Sequence, residues 1–250
     1  MTSNLRTVGA GLAVVAAVLL LWMVNPWVAV PEGISPLVTV AFWVAAIALL
    51  VVLYLDARRA PDSGEIEIDG PGFARFLFNN SRAGLFWLPV RLFVGFAWLE
   101  AGWNHFTDPK WTTAGEGLRA YWERAAAIPE GGRPPITYEW YRDFINFLLN
   151  GHHETWFSWV IAIGELAVGI GLILGILTGI AAFFGAFMNM SFLLAGSAST
   201  NPILFTLAVG LMLAWKVAGY YGVDRWLLPR LGTPWRPGTV FGSRRGAGDG

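Results

Sequence analysis

The chain is 250 residues long, 55% hydrophobic and 14% charged, with no cysteine, and its mean hydropathy is +0.52. That composition rules out a disordered chain and argues against an ordinary water-soluble domain. Seventeen cationic residues balance seventeen acidic ones and are spread along the chain, which speaks against a nucleic-acid partner; without a thiol, this chain alone builds no disulfide, thiolate-ligated zinc, iron–sulfur cluster or dithiol shuttle.

A bilayer core about 30 Å thick takes roughly 20 apolar residues in helical form. Six such segments read along the chain, at 8–28, 37–55, 85–106, 156–177, 180–196 and 203–221. Backbone groups in lipid must pair internally, and the alternating ten-residue segments of a closed barrel are missing. The expected fold is therefore all-α, an integral membrane protein of six transmembrane helices. The first segment follows Arg6 and ends at Asn25-Pro26. It is longer than a signal-peptide core and no small-x-small cleavage site follows it, so it reads as a retained helix.

Residues 1–60 form an amino-terminal two-helix membrane segment in this reading, and 61–84 a cytoplasmic linker marked by Pro61, Gly64, Gly70, Pro71 and Gly72. Residues 85–235 hold the other four spans, and 236–250 is a flexible tail. Loop cations set the orientation. Arg6, Arg58, Arg59, Arg75, Arg82, Arg225, Arg230, Arg236, Arg244 and Arg245 fall on one side; Lys110, Arg119, Arg124, Arg133 and Arg142 fall on the other. Both termini are thus expected in the cytoplasm of a multi-pass protein of the cell membrane.

The outer loop 107–155 has structure of its own. Ala114 to Ala127 suits a short helix with Arg119 and Glu123 paired at i,i+4, ended by Gly131, Gly132, Pro134 and Pro135. Tyr138 to Leu149 suits a second, with Trp140, Phe144, Phe147 and Leu148 on one face. Together they read as a helical lid over the bundle.

Small residues at four-residue spacing mark helix contacts: Gly171, Gly175 and Gly179, then Ala181 and Gly185, then Gly210, Ala214 and Ala218. The Gly164 to Gly171 pattern lies inside a span with no strand before it, so it is not a phosphate loop.

Ionisable groups in hydrocarbon cost roughly 2.5–3.5 kcal/mol each and mark function by default. Arg91, Glu100, Glu165 and Lys216 are the four here. At 1.5 Å per residue, Glu100, Glu165 and Asn189 lie about 9, 13 and 10 Å below the outer boundary, in one layer. His105 sits above it. The expectation is an outer-half polar pocket of Glu100, His105, Glu165 and Asn189, roofed by 107–155 and walled by Trp98, Trp103 and Trp159. Arg91, Gly95, Trp98, Gly102 and His105 share one face of span three, while Glu100, Trp103 and Asn104 point elsewhere. Lys216 is close enough to the inner boundary to snorkel; Arg91 either snorkels or pairs with a carboxylate. All three histidines lie near the outer surface, so no haem bridging helices at mid-depth is expected. His105, His152, His153 and Glu154 lack metal-ligand spacing, and no metal site is expected.

The four later spans resemble the DoxX/DoxD membrane family from about Leu88 to Trp235. The likeness rests on Arg91-Leu92-Phe93-Val94-Gly95 leading to His105-Phe106-Thr107-Asp108-Pro109, on Gly164-Glu165-Leu166-Ala167-Val168-Gly169 leading to Gly175-Ile176-Leu177-Thr178-Gly179, and on Tyr220-Tyr221-Gly222-Val223-Asp224-Arg225. The long outer insertion and the aspartate–arginine ending look like the DoxD branch, which includes the large subunit of thiosulfate:quinone oxidoreductase. The resemblance implies electron transfer from thiosulfate, joined to tetrathionate, into membrane quinone, with a small DoxA-type partner subunit.

Under that implication Glu100, His105 and Glu165 would handle protons. Arg91, Trp98, Trp103 and Asn189 would contact the quinone, which is a substrate, with no haem, iron–sulfur cluster or metal. The thiosulfate dianion would meet Lys110, Arg119, Arg142, His152 and His153. A competing reading is a non-catalytic scaffold or accessory subunit of a respiratory membrane complex. A solute transporter is disfavoured because no inverted repeat with broken helices is apparent.

Overall fold

The structure, a computed structural model, describes residues 2–24, 35–59 and 70–233. The described residues contain helices and turns and no strand, as long apolar runs without alternation require. The flexible tail expected at 236–250 lies outside them.

The chain divides into two units. The first comprises Met1–Ile68 with Tyr138–Phe144. In it α1 (Thr2–Val24) packs on α2 (Ser35–Arg59), and Val38 and Ala45, two turns apart on α2, are buried.

The second unit comprises Asp69–Thr137 and Ile145–Gly250. Its elements are α3 (Gly72–Asn79), a 3₁₀ turn Ser81–Ala83, α4 (Gly84–Thr107), α5 (Pro109–Thr112), α6 (Glu116–Ala126), the second half of α7 (Glu139–Asn150), α8 (Glu154–Leu174), α9 (Thr178–Leu194), α10 (Asn201–Leu213), α11 (Trp215–Ala218) and α12 (Asp224–Arg230). Among the described residues, two helices are long and apolar enough to cross a membrane, Ser81–Thr107 and Glu154–Leu174; Thr178–Leu194 and Asn201–Leu213 are shorter apolar helices.

The distribution of side chains is that of a protein whose solvent is apolar. Phe93, Phe96, Ile163, Ile170, Phe183 and Phe187 are exposed, while Arg91, Glu165, Thr178, Asn189 and Asp224 are buried. In water the exposed set would be a large apolar patch and the buried set an unexplained cost; in lipid, association rests on close packing and interhelical polar contacts. Trp87, Val94, Trp98, Val168, Leu172, Leu204 and Leu211 form the centre of this packing.

Helices α4 and α8 make the most extensive contact, and two glycines permit it. A Cβ on Gly102 would stand 2.7 Å from the Leu166 nitrogen, and one on Gly169 would stand 2.6 Å from the Leu99 nitrogen. Both distances are below contact, so the two backbones touch where side chains would otherwise hold them apart. The stripe Gly171, Gly175 and Gly179 does not form one packing surface: Gly171 faces Ala181, Gly175 ends α8 at φ +67°, and Gly179 lies under Trp215.

Three further expectations change. Part of the 61–84 linker is helical: Phe76, Leu77 and Phe78 of α3 pack on the core, and the Leu77 carbonyl accepts a 2.8 Å hydrogen bond from Trp87 Nε1. The apolar side chains outweigh the glycine and proline signals there. Segment 203–221 is not one helix, because α10 stops at Leu213 and the single turn of α11 follows Ala214, where Trp215 packs over Gly179. On α7 the buried side chains are Tyr141, Ile145 and Leu148, and Phe144 and Phe147 are exposed, so the inward stripe is rotated from the expected one.

Candidate functional site

The buried residues of α4 are Gly84, Trp87, Arg91, Val94, Gly95, Trp98 and Gly102, and those of α8 include Ser158, Ala162, Glu165, Val168, Gly169 and Leu172. Both sets recur at three- and four-residue intervals, so each helix turns one stripe to the other. Because α4 and α8 run antiparallel and touch at Gly102 and Gly169, His105, one turn past Gly102, comes level with Glu165. His105 Nδ1 lies 2.6 Å from Glu165 Oε2, with Glu165 only 1% exposed and His105 26%. A short hydrogen bond between an imidazole and a buried carboxyl is a charge-assisted pair in which one proton is shared or passed.

The loop after α4 closes over the histidine. Asp108 caps α5 by accepting from the Lys110 backbone N–H at 2.9 Å, with Pro109 at its first position. That turn carries Trp111 onto the His105 ring, centroids 3.7 Å apart. Trp159 Nε1 donates to the Thr112 carbonyl at 3.0 Å, tying α5 to α8. The edge of the pair toward the loop is thus aromatic, and only the histidine reaches the surface.

Below the pair, Trp98 stacks on Phe192, centroids 6.4 Å apart, and Asn189 is fully buried on α9. Trp98 Nε1 and both polar atoms of the Asn189 amide have no hydrogen-bond partner. A buried polar group left unpaired costs about 1–3 kcal/mol, so three such atoms mark a place built for something other than packing.

Glu100 and Trp103 are not beside the pair. Depth counts rise along a helix but ignores rotation, and two residues from Trp98 or Gly102 is more than half a turn. Glu100 is therefore on the exposed face of α4, and Trp103 is 60% exposed, stacked on Phe106.

Arg91 lies at the other end of the bundle. It neither snorkels nor borders the Trp98 and Asn189 region: its guanidinium donates to the Tyr221 carbonyl at 3.1 Å and to that of Ala218 at 3.5 Å. The same loop ends at Asp224, which is fully buried. Asp224 Oδ1 and Oδ2 accept from the Leu177 and Thr178 backbone N–H groups at 2.7 and 2.8 Å, capping the first turn of α9. Lys216 is exposed, 5.7 Å from the Trp215 ring.

The expected anion-binding residues are scattered. Arg119 is joined to Glu123 at 2.9 Å and to Glu154 at 3.0 Å, and its hydrogen bond to Glu154 holds its guanidinium above the ordinary arginine range. His152, at φ +52°, lies 3.2 Å from Arg119 through Nδ1. His153 turns away and accepts from Trp156 Nε1 at 3.1 Å. Lys110 is exposed on α5, and Arg142 lies on α7 among the residues that group with the amino-terminal helices.

A family model fits the segment that carries this pair: residues 86–197 match the description "DoxX". The chain carries a DoxX domain. Nearly all of α4, together with α8 and α9, lies in the matched segment, whereas the Asp224 cap lies beyond it. Neither the comparison with curated proteins nor that with solved structures finds a match.

Sequence reasoning gave Trp111 no role, named Glu154 only as a metal ligand without the right spacing, and named Asp224 only as part of a family likeness. Asp108-Pro109 is a readable helix-start signal that positions Trp111. Glu154 heads the apolar run of α8, an acidic first-turn residue. Asp224 gives no local sign, since its partners are backbone groups of residues 177 and 178.

Proposed function

We propose that this DoxX protein is a multi-pass membrane subunit of the DoxD kind, with six spans, both termini in the cytoplasm and the 107–155 segment as an outer lid, that passes electrons from thiosulfate to membrane quinone. The balanced reaction joins two thiosulfate ions into tetrathionate through a new S–S bond; the two electrons released, with two protons, convert one quinone to quinol. The observation that carries this reading is the His105–Glu165 pair, a proton-handling couple 2.6 Å apart, buried where two bilayer-length helices cross. Quinone reduction needs a proton donor at the carbonyl oxygen, and a partly exposed histidine joined to a buried carboxyl serves as one that can be refilled from outside. Trp98, Asn189 and the aromatic cover around Trp111 supply apolar walls and polar anchors for a flat ring. A small DoxA-type subunit is the partner on this reading.

The test is quinone reduction by the protein in nanodiscs with and without a DoxA-type subunit, following quinol and tetrathionate together. Thiosulfate-dependent formation of both, lost in Glu165→Gln, supports the reading; no turnover under either condition overturns it.

One observation favours a second reading, an accessory subunit without catalysis in a respiratory or redox complex. Arg119, one of the cations expected to meet the incoming dianion, is already bonded to two carboxylates. That reading expects stable association with other membrane proteins and no turnover by this chain.

A further inference from the structure

Where α10 stops at Leu213 and Trp215 turns over Gly179, the helices leave a gap. A cleft of about 450 Å³ opens between the start of α9, the break after α10 and the end of α12. That volume falls within the range of about 300–1,000 Å³ typical of small-molecule sites. Thr178 and Leu228 are buried and form its floor, while Ile180, Phe183, Trp215 and Leu231 are exposed and form its mouth. Asp224 also lines it, but both carboxylate oxygens accept from the Leu177 and Thr178 N–H groups, so its charge is met by the backbone.

Depth names the kind of guest. Helix α8 has 21 residues, about 31 Å at 1.5 Å per residue, which matches a hydrocarbon layer of about 30 Å. The turn after α8, and Thr178 with it, therefore lies at headgroup level. Phe183 follows on α9 roughly 8 Å further into the hydrocarbon. A guest that fills the cleft has one end among headgroups and an apolar length beside Ile180 and Phe183, as an amphiphile does.

The surrounding charge fixes its sign. Between Thr178 and Arg230 the chain carries Lys216, Arg225 and Arg230 and a single acid, Asp224. All three cations are exposed. Arg225 lies over the Tyr220 ring, 5.2 Å from its centroid, whereas Lys216 and Arg230 are chain neighbours of the mouth residues Trp215 and Leu231. Long cationic side chains at this level lay their stems on apolar surface and bring their charge to lipid phosphates. We infer that the cleft binds an anionic phospholipid, with one acyl chain against Ile180, Phe183 and Leu228 and the phosphate oxygens accepting hydrogen bonds from Lys216 Nζ and the Arg230 guanidinium. The site lies at the Arg91 end of the bundle, away from the His105–Glu165 pair, and does not depend on the quinone reading.

The full-length protein is reconstituted in phosphatidylcholine nanodiscs that contain a small fraction of either phosphatidylglycerol or phosphatidylcholine with a photoreactive diazirine on one acyl chain, and cross-linked peptides are mapped by mass spectrometry. Phosphatidylglycerol is expected to label segments 177–183 and 228–233 together, about twentyfold more than phosphatidylcholine does, since each cation at headgroup level contributes about fivefold. Lys216→Gln and Arg230→Gln should each lower labelling by phosphatidylglycerol about fivefold and leave labelling by phosphatidylcholine unchanged. Ile180→Trp, which adds bulk at the mouth, should lower labelling of these segments by both lipids. Equal labelling by the two lipids in wild type, or label spread evenly over the exposed faces of α4, α8 and α9, overturns the inference. So does displacement of the probe by an uncharged long-chain quinone as effectively as by unlabelled phosphatidylglycerol, which would assign the cleft to a quinone tail. If Ile180→Trp does not fold, the two glutamine variants decide: undiminished labelling by phosphatidylglycerol in both overturns the assignment.

Discussion

Trp111 lies flat against the His105 imidazole, ring centroids 3.7 Å apart and planes 25° apart. The stack fixes the plane of a side chain that is otherwise free to turn about two bonds, and it does so with Nδ1 directed at Glu165. Positioning of this kind is worth more in rate than in stability. If the proposed quinone reduction holds, Trp111→Leu is expected to lower it about tenfold while shifting stability by about 0.5–1.5 kcal/mol, the usual worth of an aromatic pair. Parallel loss of activity and of thermal midpoint would assign Trp111 to packing alone.

His105 and Glu165 should also be coupled in stability. His105→Ala leaves a carboxyl that is 1% exposed without its partner, at a cost of about 1–3 kcal/mol. Glu165→Gln keeps the shape and a polar group to meet the imidazole, so it should cost less. In the double variant the two costs should fail to add by about 1 kcal/mol. Thermal unfolding of all four proteins in one detergent measures the cycle; simple additivity would contradict a direct interaction.

The α4–α8 contact should be intolerant of side chains at two positions. Gly169→Val and Gly102→Val place atoms where backbone nitrogens already lie within 2.7 Å of a first carbon. Each should cost about 1–3 kcal/mol, the range for overpacking a tight core, and push His105 away from Glu165. Gly164→Ala is the control, since its added carbon meets only Met188 Sδ at 3.7 Å. It should be neutral in thermal melts.

Asp224 should be the most sensitive residue outside the pair. Asp224→Ala strips two backbone N–H groups of their acceptor. Leaving a buried donor unpaired costs about 1–3 kcal/mol, and here there are two. Asp224→Asn, which retains one acceptor oxygen, should fall between alanine and wild type. Equal melting temperatures for all three would refute the cap.

Much of the fold was legible because hydrocarbon imposes a simple rule on sequence: helices must be long, apolar and internally bonded. The face shared by Arg91, Gly95, Trp98, Gly102 and His105 follows from helical periodicity alone, but the depth count set Glu165 in a layer below His105, so their direct pairing was not legible. Depth without rotation, however, drew in Glu100. Arg91 was beyond reach for a different reason. Its partners are carbonyl oxygens of residues 218 and 221, and every residue has a carbonyl, so no side-chain pattern announces one. Trp111 depended on a one-turn helix too short for periodicity to register. The break at Ala214 comes from how Trp215 meets Gly179, a contact between segments far apart in the chain.

The aspartate that closes the first turn of α9 is encoded long after that turn. While the nascent polypeptide is being threaded into the bilayer, the N–H groups of Leu177 and Thr178 must be satisfied by solvent or lipid headgroups until residue 224 emerges and replaces them. Maturation is therefore completed from the carboxyl-terminal end. A message truncated after α10 would still encode the entire DoxX-matched stretch, yet its product would lack the latch and be exposed to quality-control proteolysis.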